Sequence, residues 1–211
     1  SLKFAVITAT LATVAGLALA RCRWAAPLWL FWLVPGVFLG IALIFLLNRG
    51  PLVPFYQSSG VVVLAFLLRY SGPAWQGARH ARQSVAPALD EAARLEGATL
   101  WQRLSRVQWP QMAPLLAATW YVLYLLTLWD AETLLLIVPP GGETLALRIF
   151  NLLHYGHAAQ VNALCVLLLA VAVAPWLVWT VVKRWTSRGP VTGQPSPSNS
   201  KAKSAQTWDC A

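Results

Sequence analysis

The chain has 211 residues, 58% hydrophobic and only 11% charged, with a mean hydropathy of +0.58. A soluble domain carries about 25% charged residues, so this composition excludes an ordinary soluble enzyme and a disordered chain alike. Sixteen Lys and Arg against seven Asp and Glu leave a net charge of +9. A basic chain can serve nucleic acid, but nucleic-acid binders keep a soluble body. Here the basic residues flank long charge-free runs, so no nucleic-acid partner is expected. Cys22, Cys165 and Cys210 are scattered and odd in number, which suggests neither a disulfide framework nor a zinc site.

A membrane span needs roughly 20 mostly apolar residues. Five stretches qualify: residues 2–20; residues 28–47; the uncharged stretch between Arg49 and Arg69, strongest over 55–68; the stretch between Arg106 and Asp130, from about residue 112; and about 158–182. The expected fold is an all-α polytopic helix bundle with five transmembrane helices. Placing the N-terminus outside and the C-terminus in the cytoplasm puts thirteen of the sixteen basic residues inside, Arg69 among them. Only Lys3, Arg49 and Arg148 then lie outside, as the positive-inside rule favours. The first stretch imitates a signal peptide, ending in Ala18-Leu19-Ala20, but Arg21 and Arg23 follow at once and favour a retained span. The chain begins with Ser1 rather than Met, which suggests a piece of a longer protein.

Gly36 and Gly40 form a small-xxx-small pair in the second stretch, suited to close helix contact. Pro35 and Gly60 can loosen helices where a neighbour restores the hydrogen bonds. Residues 1–185 are read as the transmembrane domain. The Ser-, Pro- and Lys-rich tail 186–211 buries too little apolar surface to offset its ordering entropy and reads as disordered, cytoplasmic chain.

The longest polar stretch, residues 71–111, reads as an ordered elbow on the cytoplasmic side. Pro87 suits a first helical turn, and Asp90 and Glu91 complement the positive end of the helix dipole. Ala92 to Glu96 are helix formers, and Gly97 can end the helix in a left-handed conformation. Thr99 with Gln102 three positions on is a capping box, starting a second helix at Leu100 that is expected to run until Pro110. On residues alone, an elbow docking a cytoplasmic partner and a hairpin covering the bundle floor weigh equally.

Glu91-Ala92-Ala93, three residues, Gly97, nine residues, then Val107-Gln108-Trp109-Pro110 resembles the EAA loop of binding-protein-dependent ABC importer permeases. That family's pattern is Glu-Ala-Ala, three residues, Gly, nine residues, Ile, any residue, Leu, Pro. The spacing agrees throughout, with Val107 for Ile and Trp109 for Leu. The likeness extends over about residues 2–185, and the layout is similar to the MetI-like permease core. The resemblance implies that Glu91, Ala92, Ala93, Gly97 and Pro110 form the contact that couples the chain to a separate ABC ATPase subunit dimer. Glu91 supplies polar contacts, the alanines close approach and Gly97 the bend. It further implies a second permease half, fused or separate, an extracytoplasmic solute-binding protein, and multi-pass residence in lipid in the bacterial inner membrane. No catalytic residue, cofactor or metal ligand is expected on this chain. Consistently, no Gly-xxxx-Gly-Lys-Ser/Thr phosphate loop is present, so ATP is used by the partner.

Between the fourth and fifth stretches, Thr144 to Tyr155 reads as a short amphipathic helix, with Leu145, Ile149, Leu152 and Leu153 toward the bundle and Arg148 outward. Val138 to Leu145, and on from Arg148 to Gly156, resembles the matching region in the C-terminal half of ferric-iron-type permeases, which implies ferric iron as solute. Thiamine, sulfate or a polyamine are alternatives within the same importer class. Asp130 and Glu132, where the fourth span leaves the bilayer, are candidates for the translocation path, set against a solvated edge. His154 and His157 make a weak metal signal. An intramembrane enzyme or an ATPase-independent channel is disfavoured, because the apolar runs hold neither a catalytic constellation nor ionisable residues.

Overall fold

The computed structural model describes residues 2–138, 143–156 and 158–186, and of Arg23, Trp24, Ala26 and Thr186 the backbone alone. Ten α-helices appear among the described residues, and no strand. The expected tail from residue 187 on, His157, and Pro139 to Gly142 lie outside them. Two compact units divide the chain, Ser1–Ala172 and Val173–Ala211. In the second unit the described residues continue the last helix as far as Thr186.

Within the first unit, α1 (Leu2–Leu19) matches the first expected span. Its Ala5, Ala9, Ala12 and Gly16 repeat at helical spacing and are all buried, a stripe of small residues that lets neighbouring helices approach closely. Those neighbours are α5 (Ser59–Gln83) and α8 (Trp109–Trp129), which also pack on each other. Phe66 and Tyr70 of α5 join Leu123, Tyr124 and Leu128 of α8 in the core. Tyr121 and Tyr124 donate from α8 to the carbonyls of Ala172 and Val171, at 3.1 and 2.7 Å. These bonds tie residues 158–172 of α10 (Ala158–Thr186) to the bundle.

The second expected span is broken. After α2 (Trp29–Leu33), Val34 and Pro35 are extended, and α3 (Gly36–Leu47) starts anew. A proline biases the residue before it out of the helical region and cannot donate an N–H. The third expected span is also redrawn. A turn at Gly50–Leu52, then α4 (Val53–Tyr56), bends 119° from α3. Only then does α5 begin, capped by Ser58, whose Oγ accepts from Gly60 N at 3.1 Å.

By length and composition, three helices among the described residues can cross a membrane: Leu2–Leu19, Leu100–Trp129 and Ala158–Trp185. The bent pair Gly36–Leu47 with Gly50–Tyr56 makes a fourth if counted as one span. The 25-residue α5 is not among them, because its second half is polar. The expected count of five is therefore not reached on these grounds, although the all-α membrane bundle is. The first part of the polar stretch 71–111 continues α5, which runs unbroken to Gln83.

Candidate functional site: a braced elbow and a charged cavity

The elbow is built as its residues dictate. Helix α6 (Pro87–Leu95) carries Pro87 in its first turn. It ends in a Schellman arrangement, with Gly97 N bonding Arg94 O and Ala98 N bonding Ala93 O, both at 3.0 Å. Gly97 sits at φ +77°, the left-handed region that glycine enters without penalty. Both hydrogen bonds of the capping box form between Thr99 and Gln102 at the start of α7 (Leu100–Gln102).

The helix does not stop at Pro110. It passes through a π-helical turn, Arg103–Gln108, directly into α8, and Pro110 falls in the first turn of α8. The proline there lacks an N–H for the normal ladder, and the preceding wide turn is where the ladder changes register.

Asp90 is the brace that sequence reading passed over. Its Oδ1 accepts from Arg103 Nε and from Gln108 Nε2, each at 3.0 Å, and its Oδ2 pairs with Arg103 Nη2. Hydrogen bonding by Arg103, then by Gln108, holds the Asp90 carboxyl below its ordinary pKa. Gln111 Oε1 also accepts from Ala86 N at 2.9 Å, fastening the entrance of the elbow to α8. The short helix is thus locked to the foot of α8. Glu91 and Ala92 are exposed, Ala93 half-buried, and Gly97 and Pro110 exposed. Large apolar side chains also stand open around the elbow: Leu95 is 90% exposed and Trp101 75%, with Leu89, Leu100 and Trp109 exposed as well.

A second site lies near the other end of α8, and here Arg69 is misplaced by charge counting. The structure sets Arg69 beside Asp130 and Glu132, so it cannot lie on the opposite side of the membrane from them. It sits inside α5, fourteen residues from the end at Gln83, or about 21 Å at 1.5 Å per residue. Its Nε approaches Asp130 Oδ2 at 3.3 Å, its Nη2 donates to Glu132 Oε2 at 3.1 Å, and its Nη1 donates to Val34 O at 3.3 Å. The last bond satisfies a carbonyl released by the break at Pro35, the compensation a broken membrane helix requires. Ionisable residues are therefore present inside the bundle, contrary to the expectation from the apolar runs.

Asp130 is 5% exposed at its side chain and fully engaged: Tyr70 Oη donates to it at 2.7 Å, Thr133 Oγ1 at 2.7 Å and Thr133 N at 3.0 Å. The two acidic residues differ in setting: the Glu132 side chain is 45% exposed, whereas that of Asp130 is buried. Gly36 admits this packing, because a Cβ there would lie 2.7 Å from both Arg69 Nη1 and Thr133 Oγ1. Its small-xxx-small partner Gly40 faces Thr133 and Ile137 at ordinary contact distance. The pair thus packs against the turns that follow Asp130. The Arg69 cluster borders a cavity of about 700 Å³ walled by Trp32, Trp129, Phe150 and Leu135.

Farther along, α9 (Leu145–His154) forms as expected and is capped by Thr144, whose Oγ1 accepts from Leu147 N at 3.3 Å. Its buried face carries Ala146 and Leu147, with Leu145 and Ile149 against the core; Leu153 is exposed rather than inward. Arg148 points outward as expected. Gly156 at φ +75° ends that segment. Among the described residues no group of three or more His, Cys, Asp and Glu could hold a metal ion.

Fold and sequence place this chain with known proteins. No family model matches it. A chain of the MetNI methionine ABC transporter, solved in inward-facing conformations, superposes with a TM-score of 0.59 over 87% of this chain and 91% of that one, at 16% identity. A Salmonella choleraesuis permease protein named for 2-aminoethylphosphonate transport, PhnV, is 25% identical over 155 residues, covering 72% of this chain and 57% of the relative. The maltose/maltodextrin permease protein MalG of Photorhabdus laumondii is 28% identical over 200 residues, covering 84% and 67%. The spermidine/putrescine permease protein PotC of Escherichia coli is 27% identical over 99 residues, covering 47% and 38%.

The fold is that of the MetNI transporter chain, and the sequence relatives are named as permease proteins of transport systems, a class of membrane transport subunits. The chain is similar to those relatives over part of their length, spanning 57% of PhnV and 38% of PotC.

Proposed function

We propose that this chain is the membrane-spanning permease subunit of an ATP-driven importer, moved by a separate ATPase dimer that docks on the elbow around α6. The single observation that carries this reading is the Asp90–Arg103–Gln108 brace, which makes α6 and the foot of α8 one lever. Force applied at Ala92 then reaches a 30-residue helix, Leu100–Trp129, whose far end meets the Arg69 cluster. Glu91 stands exposed, with no ion pair among the described residues, ready for a partner's polar groups. Exposed Leu95 and Trp101 offer the apolar area that a docking surface uses. ATP-driven closure of the partner would bias the bundle between inward-open and outward-open arrangements. A second permease half and an extracytoplasmic binding protein complete the assembly in a bacterial inner membrane, with the elbow and the C-terminal tail in the cytoplasm. ATP would be held by the partner, with residues 1–185 as the permease domain.

The solute is the open part of this reading. The relatives are named for 2-aminoethylphosphonate, maltose and polyamines, not iron, so the ferric-iron expectation rests on the segment around residues 138–156 alone. Uptake by the assembled importer, compared across ferric iron, thiamine, sulfate and putrescine, decides between them: ferric uptake keeps the iron reading, and uptake of another solute without iron ends it. For coupling, a cysteine at Ala92 should cross-link to the ATPase subunit, and Gly97→Asp or Glu91→Lys should insert normally yet abolish uptake. Normal uptake by either variant overturns the coupling assignment.

A further inference from the structure

We infer that the cavity beside Arg69 binds the ammonium group of an organic amine, with Glu132 as its counter-ion and tryptophan rings as its walls. The inference rests on the permease reading above and names the solute class for it. One guanidinium faces two carboxylates in this cluster, so one negative formal charge is left over. Asp130 cannot carry it outward. Its two oxygens are occupied by Tyr70, both polar groups of Thr133, and Arg69, and its side chain is buried.

Glu132 differs: it holds one bond, from Arg69 Nη2, and its half-exposed carboxylate retains acceptor capacity toward the cavity. An anion fits poorly, since Arg69 already serves Asp130, Glu132 and the Val34 carbonyl and the site as a whole repels negative charge. A neutral polyol fits poorly too, because Arg69, Asp130 and Glu132 are the only charged groups among the lining residues and most of the wall is apolar. An ammonium meets both needs, through a charge-assisted hydrogen bond to Glu132 and attraction to the tryptophan rings that line the cavity, Trp32 and Trp129. The volume of about 700 Å³ suits a small amine.

The test uses the assembled importer in nanodiscs, with radiolabelled putrescine, butane-1,4-diol and succinate as probes of equal chain length. Putrescine should bind about tenfold or more tightly than either other probe. Glu132→Gln should weaken putrescine binding by about tenfold or more, and Trp129→Leu, at an exposed position, should weaken it severalfold. Tighter binding of succinate or diol, or unchanged putrescine binding in Glu132→Gln, overturns the inference. The Ala92 cysteine cross-link, run on the same samples, separates the two readings. A cross-link with no amine binding removes only the solute class, whereas amine binding without a cross-link removes the coupling reading and leaves the site.

Discussion

Arg69 and Asp130, sixty-one positions apart, meet at 3.3 Å inside the bundle, with the Asp130 side chain almost wholly shielded from solvent. The contact joins the middle of α5 to the end of α8. Through the Val34 carbonyl it also reaches the break between α2 and α3. Four segments that differ in their course are therefore held by one guanidinium.

Removing one side of this pair should cost more than removing both. Asp130→Ala strands a buried cation, a loss of about 3–5 kcal/mol in comparable pairs. The low end applies here, because Glu132 still holds Arg69. The double replacement Arg69→Met with Asp130→Leu should recover most of that loss. Thermal unfolding of the purified protein in detergent checks this; equal losses in single and double variants would contradict the pairing.

Gly36 and Gly40 make an internal contrast. Gly36→Ala places a methyl 2.7 Å from Arg69 Nη1 and Thr133 Oγ1, so it should destabilise by about 1–3 kcal/mol. Gly40→Ala meets its nearest neighbour at 3.6 Å and should change stability by less than about 0.5 kcal/mol. The same detergent melts, run side by side, test both.

At the elbow, Gly97→Ala forces a Cβ into the left-handed region at φ +77°, a cost of about 1–2 kcal/mol. The space around it is open, so backbone strain alone is responsible. Faster amide exchange over α6 and the following cap should accompany the loss, whereas Ala98→Gly should leave that exchange near the parent level.

On the proposed coupling, Asp90→Asn should keep the ATPase bound yet lower uptake, since docking would use α6 while force would pass through the brace to Arg103. The pH dependence has a definite sign. The Asp90 carboxyl is depressed in the folded protein, so its contribution is fully present above the ordinary aspartate pKa, about 3.9. It is lost only as pH falls through the still lower folded value. The distance between spin labels placed on α6 and α8 should therefore be constant from pH 5 to 8 and differ only in the variant; a transition near neutrality would implicate another group.

Much of the elbow was legible from residues 87–110. Helix formers, a left-handed glycine and a capping box each act within one turn of chain, so local spacing is sufficient to place α6, the bend and Leu100. Long apolar runs likewise marked α1, α8 and α10, because crossing a bilayer is a requirement on composition. Chain order marked Pro35 as a place where a helix can loosen, but could not reveal that Arg69 would be the neighbour that meets the Val34 carbonyl, that α5 would carry Arg69 into the bundle, or that a π turn would lead into α8 ahead of Pro110. Charge counting assigns a basic residue to the nearer aqueous side, and it has no access to partners sixty positions away. Only tertiary packing brings Asp130, Glu132 and the released Val34 carbonyl to Arg69, and that company makes a buried guanidinium tolerable. Composition and local spacing thus decided where the long apolar helices run and where the elbow bends, while packing decided which charges are buried among them.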